Sequence, residues 1–331
     1  GTDFYDADWY KSYRQDGNCP YGLALASDGT YLWGTRTNEV WRARLTLYYG
    51  YRSSAGVEYG NSNTYFVEDW TRSRTRNASS VTFHGIDVWG LLEQYTVPGP
   101  WEVNFMSNQY NVYQLIEKVV QCIGGTLGYV SRSSLMTGLY PRMEFHPGES
   151  GDGVLRRLLQ LVPDVLRFNG FNAYVIYPQA GDSYSYEYKF PAALSGEHPI
   201  LTGSYKQGSY AANRAYIIGK DTEDFHVFGE SEISGEIDKV GERLQFTLQT
   251  DIATAALAED VAEAVLAAER IDAAYGSVLV PPNCGQELWD VVRINDTPCG
   301  QANADYRITA MLLKYEDRDS AYSQRLTLGG V

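Results

Sequence analysis

The sequence predicts an α+β protein, mainly β, in which strand-rich stretches stand on either side of a helix-bearing middle. Three observations predict it. Two amphipathic segments near the middle carry apolar residues at helical spacing. On both sides of them, apolar residues alternate with polar ones or come in short runs between turn residues. Tyrosine and tryptophan are abundant, 27 and 7 against 11 phenylalanines. Tyr and Trp join a large apolar face to a polar handle, which suits half-buried strands and interfaces. At 331 residues with 44% apolar content, the chain is long enough for two or three cores.

Residues 1–35 read as an irregular N-terminal segment with one hairpin. Tyr21 to Trp33 gives two short strands around an Asp28-Gly29 turn. From Val40 to Tyr49, Trp41, Ala43, Leu45, Leu47 and Tyr49 fall on one face and Val40, Arg42, Arg44, Thr46 and Tyr48 on the other. That is the period of two of a half-buried strand. Tyr65 to Trp70 is a further strand, and Arg72, Arg74 and Arg76 share one face of an extended segment. These arginines read as a solvated face or as an interface stripe for acids on a neighbour. Val81 to Trp89 reads as a strand or a strand-to-helix junction.

The clearest helix is 111–123, where Val112, Leu115, Ile116, Val119, Val120 and Ile123 recur at helical spacing. Asn111 is a good N-cap with Gln114 three residues on, and Gly124-Gly125 stops the helix. A second helix is predicted over 152–168, capped by Ser150 or Asp152, with a kink or break at Pro163. Ala173 to Tyr177 and Ser183 to Phe190 then read as a hairpin across a five-residue turn. Beyond about residue 200 come strands at 215–218, 225–228 and 244–248 and an Ala-rich helix over 252–274. Further strands follow at 277–280, 288–294, 306–315 and 324–328, and their close spacing suggests a small barrel or sandwich.

The net charge of −14 is unevenly spread. Residues 221–272 hold fourteen acids against Lys239, Arg243 and Arg270, whereas residues 30–76 carry a local net of +3. An acidic chain is a poor grip for nucleic acid or an anionic membrane, and it suits a surface that DNA passes without sticking. The plain alternative is a solvated helix face. No apolar run approaches the roughly 18 residues needed to span a membrane. The chain has no signal-peptide pattern and opens on Gly1 rather than Met, which points to a processed product or an internal piece of a longer chain.

Chemistry finds little support. Cys19, Cys122, Cys284 and Cys299 form no CxxC pair, so a zinc site is not indicated. Spacing cannot choose among their pairings; Cys284 and Cys299 flank one strand and could bridge, and Cys122 reads as a buried thiol. His84, His146, His198 and His226 have no ligand partner at metal spacing. Glu149 and Asp152 lie in a glycine-rich loop, but acids before a helix follow from capping and the dipole. No phosphate loop, nucleophile elbow or dinucleotide fingerprint is present. The sequence therefore designates no catalytic, cofactor-binding or metal residue, and the chain reads as a structural protein rather than an enzyme. The rival reading is a secreted or surface carbohydrate-binding β protein using Trp9, Trp33, Trp41 or Trp70, although core packing explains each of them as well.

Residues 251–331 carry a pattern that resembles the hub proteins of phage-tail baseplates and tail tips. The Ala256–Ala274 helix leads through Gly276 to Asn283 into Gly285 to Val292. It continues through Tyr306 to Tyr315 and closes on Arg325 to Val331. Gly85 to Leu92 and the helices at 115–125 and 155–168 fit the same pattern, so the resemblance spans about 40–331. It implies two small β-barrel domains, 36–110 and 201–331, flanking an α/β middle domain, 111–200, the second barrel holding the Ala-rich helix. It also implies a homotrimeric ring in the virion that adapts a sixfold tail tube to a threefold tip and lets DNA pass without specific binding. The implied neighbours are the tail tube or distal tail protein, a tip spike or fibre, and the tape measure protein, with no active site and no cofactor.

Overall fold

The structure, a computed structural model, describes residues 24–25, 32–33, 44–47, 50–53, 56–60, 63–74, 79–104, 107–191, 198–206, 211–220, 226–248, 252, 254–273, 275–316 and 321–331. Cys19, Trp9, Trp41 and Arg76, with most of the 40–49 strand, lie outside these residues.

The described residues begin with a short antiparallel pair, β1 (Ala24–Leu25) and β2 (Leu32–Trp33), on the two sides of the Asp28-Gly29 position. Next come β3 (Arg44–Leu47), β4 (Gly50–Ser53), β5 (Gly56–Tyr59), β6 (Asn63–Arg74) and β7 (Ser79–Ile86). Strands β3, β6 and β7 form one antiparallel sheet, and β4 pairs with β5. Among the described residues β3 pairs with Asn63 to Phe66, and beyond Phe66 β6 pairs with β7 alone as a ribbon. Helix α1 (Val88–Gln94) follows at once, the Asp87 carboxylate accepting from the Gly90 amide at 3.0 Å.

The middle contains β8 (Trp101–Val103), α2 (Val112–Cys122), β9 (Thr126–Tyr129), α3 (Ser134–Gly138), β10 (Met143–Phe145), α4 (Gly151–Leu159), β11 (Val165–Asn169) and β12 (Asn172–Ile176). Helix α2 lies where its spacing predicts. Asn111 and Gln114 close a reciprocal capping box, and Val112, Leu115, Ile116, Val119 and Val120 are buried. Its last residue, Cys122, is exposed rather than buried. The helix predicted over 152–168 is shorter than expected. It starts at Ser150, as a cap should, but ends at Leu159, and Val165–Asn169 is a strand. Pro163 has no amide to give and disfavours the helical conformation at Val162, so the chain turns there. Strand β12 pairs antiparallel with β11 and parallel with β9, giving a three-stranded mixed sheet. The helices α1, α2 and α4 share one buried cluster that includes Leu92, Leu115, Leu155 and Leu158.

The last part holds β13 (Tyr186–Phe190), β14 (His198–Pro199), β15 (Thr202–Tyr205), β16 (Arg214–Lys220), β17 (His226–Glu232), α5 (Ser234–Val240), β18 (Leu244–Leu248), α6 (Ala255–Asp272), β19 (Gly276–Val280), β20 (Val291–Asp296), β21 (Gln301–Glu316) and β22 (Ala321–Gly329). The hairpin expected across 173–190 does not form. Strand β13 leaves β12 and pairs in parallel with β20, Tyr188 opposite Ile294. Its side of the pleat places Tyr188 in the core, where the hydroxyl donates to Gln286 Oε1 at 3.0 Å and accepts from Asn283 Nδ2 at 3.1 Å.

The two predicted barrels are not formed. The described residues fall into several small sheets, and none closes on itself. The largest has seven strands in the order β14-β13-β20-β21-β22-β19-β15, with β14 and β15 as its ends. The pairing breaks between them because the chain changes partner: Ile200 donates to Lys189, Leu201 donates to Leu279, and Pro199 has no amide to extend the ladder. On the N-terminal side β3, β6 and β7 make only three strands, too few to wrap. Strands β17, β16 and β18 form a separate sheet, inserted between β15 and β19 and covered on one face by α6. Helix α6 lies very close to β17: a Cβ on Gly229 would stand 2.0 Å from the backbone of Ala258.

Two halves of the molecule are tied by a buried guanidinium. Arg307, on β21, is 2% exposed. It donates to the Trp289 carbonyl at 2.8 Å, to the Gln179 carbonyl at 3.1 Å and to Asp182 Oδ2 at 2.8 Å. Trp289 stands in the left-handed region at φ 73°, and its indole donates to the Leu166 carbonyl at 3.1 Å. The 177–185 crossover and β11 are thereby bonded to the large sheet. Arg307→Met removes the cation, leaves the Trp289 carbonyl without this donor and takes from Asp182 its guanidinium partner, so urea denaturation should show a loss of about 2–4 kcal/mol. A loss below about 1 kcal/mol would mean that packing alone holds the halves together.

Asp164 is a second buried tie. Its carboxylate accepts from the Ser133 amide at 2.8 Å and from the Ser133 hydroxyl, which also caps α3. Burial outweighs these bonds and lifts its pKa above the ordinary 3.8. The folded chain therefore holds this proton to higher pH than the unfolded chain. As pH rises from about 3.8 through the raised folded value, this group's contribution to stability falls, and above that value it is flat. Subtracting the stability–pH curve of Asp164→Asn from that of the native chain should show a fall of this sign. A rise over the same window would refute it.

Candidate assembly surfaces

The residues that sequence reading weighed for chemistry are dispersed. His84 lies 3.9 Å from Asp69 and His146 lies 3.6 Å from Glu144, both exposed. His198 packs against the rings of Tyr186 and Tyr188, and His226 is exposed at the start of β17. Glu149 is paired with Arg157 at 2.7 Å. Asp152 accepts from the Ser150 hydroxyl at 2.6 Å and from Arg156 at 3.2 Å, which lowers its pKa. Both acids thus serve the start of α4. Cys122 and Cys299 are exposed, Cys284 is buried, and Cys284 is not bridged to Cys299. Among the described residues no three His, Cys, Asp or Glu side chains are placed to hold a metal, and no helix is long and apolar enough to cross a membrane.

A cleft of about 840 Å³ lies where the N-terminal sheet, β11 and the β21–β22 hairpin meet. Arg167 and Glu287 form an ion pair on its wall, and Met311, Leu313, Tyr315 and Tyr322 supply an apolar side. Asp290, whose pKa burial raises, does not line it. The Asp290 carboxylate accepts from the Gln286 side chain and the Glu287 amide, each at 2.9 Å, and closes a turn. The cleft therefore offers shape and apolar surface rather than a pair of free carboxylates.

Three exposed β surfaces stand out. The first is the β6–β7 ribbon. Its register sets Trp70 opposite Phe83 and Arg72 opposite Val81, so Trp70, Arg72, Arg74, Val81 and Phe83 share one face. Asp69, Thr71, Ser73, Ser80, Thr82 and His84 occupy the other. The second is the outer part of β21–β22, where Leu312 is 60% exposed opposite Arg325. The third is the outer face of the β17-β16-β18 sheet. Ala215 and Ile217 point inward, so Arg214, Tyr216 and Ile218 point out, flanked by Phe228, Glu230 and Glu232 on β17 and by Leu244 and Phe246 on β18. Phe228 is 56% and Phe246 61% exposed, and Tyr216 stacks on Phe246 at 5.8 Å. Arg214 meets three carboxylates, Glu230, Glu232 at 3.9 Å and Glu242 at 3.3 Å. The Tyr216 hydroxyl and then Arg214 lower the pKa of Glu230. Sequence reading found these strands and the arginine stripe, but it could not tell which face of β16–β18 a helix would cover.

The architecture has counterparts among solved structures. The tail protein from Neisseria meningitidis MC58 superposes with a TM-score of 0.62 at 12% identity, over 82% of this chain and 80% of that one. The 43 kDa tail protein of prophage MuSo2 from Shewanella oneidensis superposes with a TM-score of 0.57 at 12% identity, over 88% and 90%. The fold is one that tail proteins share. No family model matches the chain, and no curated protein matches it.

If the exposed aromatics serve contacts outside the chain, removing them should cost the chain itself little. Trp70→Ser and Phe246→Ser, melted in urea at a concentration where each is monomeric, should stay within about 1 kcal/mol of the native chain. A loss of 2 kcal/mol or more at either position would make that ring part of the core.

Proposed function

We propose that this protein is a structural component of a phage tail or tail-like particle, a hub that assembles as a threefold ring at the tail tip. The observation that carries the reading is the shared fold with two tail proteins across 82% and 88% of this chain. The surfaces agree with it. Their chemistry is that of contact, with exposed aromatics, projecting ribbons and charge in stripes, and the acids weighed for catalysis are engaged in caps and turns. The particle's tube would meet one side of the ring and its tip spike or fibre the other, with the tape measure protein and then DNA passing through the centre.

Charge supports the passage. The chain carries −14 overall, and Glu259, Asp260 and Glu263 are exposed on α6. DNA presents about one charge per 1.7 Å of axis, and a basic wall would hold it by releasing counterions. An acidic wall repels it, over a screening length of about 8 Å at physiological salt.

Sedimentation equilibrium of the purified chain, with imaging of the native particle, tests the assignment. The expected result is a trimer in solution or a threefold ring at the tail tip, together with no retention of duplex DNA at 150 mM salt (about physiological). A chain that remains monomeric, is absent from tail tips and binds glycans would replace this reading with that of a sugar-binding protein.

A further inference from the structure

The Trp70 ribbon and the outer face of the β17-β16-β18 sheet complement each other in polarity and charge. The ribbon is amphipathic, and its Trp70 face stands in the open: Trp70 is 44% exposed, and Glu68 to Arg74 are all exposed. A two-stranded ribbon is marginal in water on its own and gains order by laying an apolar face on something. The sheet is the reverse case, a ladder with one face covered by α6 and the other bearing Phe228, Phe246, Leu244 and Tyr216 toward solvent. Beside that apolar patch three carboxylates, Glu230, Glu232 and Glu242, meet the guanidinium of Arg214, so negative charge is in excess at that contact. The ribbon offers two cations, Arg72 and Arg74, on the same face as its tryptophan.

We infer that the Trp70, Arg72 and Arg74 face of the β6–β7 ribbon docks on the outer face of β16–β18 of a second copy of this chain. Trp70 covers the Phe228–Phe246 patch, and Arg72 and Arg74 neutralise the surplus at Glu230, Glu232 and Glu242. The two patches differ, so the contact is head-to-tail, the kind that closes into a ring when the rotation allows. The inference rests on the ring reading above and names the surfaces that would build it. Because each copy supplies both patches, every copy leaves neither exposed once the ring has closed.

The test is a charge reversal read by sedimentation velocity over a dilution series of the full chain. Arg72→Glu with Arg74→Glu should weaken self-association at least tenfold, and Glu232→Lys with Glu242→Lys should do the same. One chain carrying all four changes should regain assembly, because every ribbon and every face is then reversed together. Phe246→Asp, on the apolar centre, should weaken association without any change at the ribbon. Circular dichroism melts of each variant identify any that fails to fold, and the four-change chain guards against reading misfolding as lost contact. Native chain that assembles while all reversals assemble equally well overturns this interface and leaves the ring standing. Native chain that never assembles at any soluble concentration overturns the ring reading, and the inference falls with it.

Discussion

A guanidinium without water around it needs acceptor oxygens from the protein, and the architecture turns on where Arg307 finds three of them. Its three acceptors come from the β20 approach at Trp289 and from the 179–182 crossover. Trp289 is also held by its amide's bond to the Ile308 carbonyl at 2.8 Å, whereas residues 179–182 lie in no strand. Once the cation is buried, leaving any acceptor unmade exposes a charge to an apolar surrounding, which is far more costly than one lost neutral hydrogen bond. The crossover is therefore pinned where β13 must enter the large sheet beside β20. Trp289 then reaches across to the Leu166 carbonyl, and Arg167 meets Glu287 close by. The cleft between the halves owes its walls to this small set of polar contacts.

How much of this was legible in the sequence depends on the range of the interaction concerned. Helix α2 was legible to its ends because its determinants are local: a capping box at Asn111 and Gln114, an apolar stripe and a glycine stop. Strands β16, β17, β18, β21 and β22 were legible as strands for the same reason. Strand β13 was misassigned because a period of two in tyrosines says which face is buried but not which strand lies alongside. Its partner, β20, is far away in sequence, and the neighbouring β12 looked the cheaper choice. The barrels failed on the same point, since closure is a property of pairing order and not of strand content. In the second helix the apolar spacing continues past Pro163 while the backbone does not, so the helix ends at Leu159 and a strand begins at Val165.

The surfaces follow the same division. The arginine stripe at 72 and 74 could be read from alternation alone, and the register confirms that it shares a face with Trp70. The apolar patch on β16–β18 could not, because both faces of that sheet contain apolar residues. Only the position of α6 decides that Ala215 and Ile217 are core while Tyr216 and Phe246 are surface. How each acid is engaged required geometry: Asp152 with Ser150 and Arg156, Asp290 with two amide donors.

The packing of α6 on Gly229 has a consequence for how such a protein changes over time. Where two side chains touch, a substitution on one can be answered by a substitution on the other. Here the helix meets the strand backbone to backbone, and the glycine contributes no side chain to adjust. Any larger residue at that position has to move a helix rather than a rotamer. Sequence drift is thus steered away from this line of contact and toward the outward residues of the same sheet. The chain can exchange the partners it recognises while the scaffold that presents them keeps its shape.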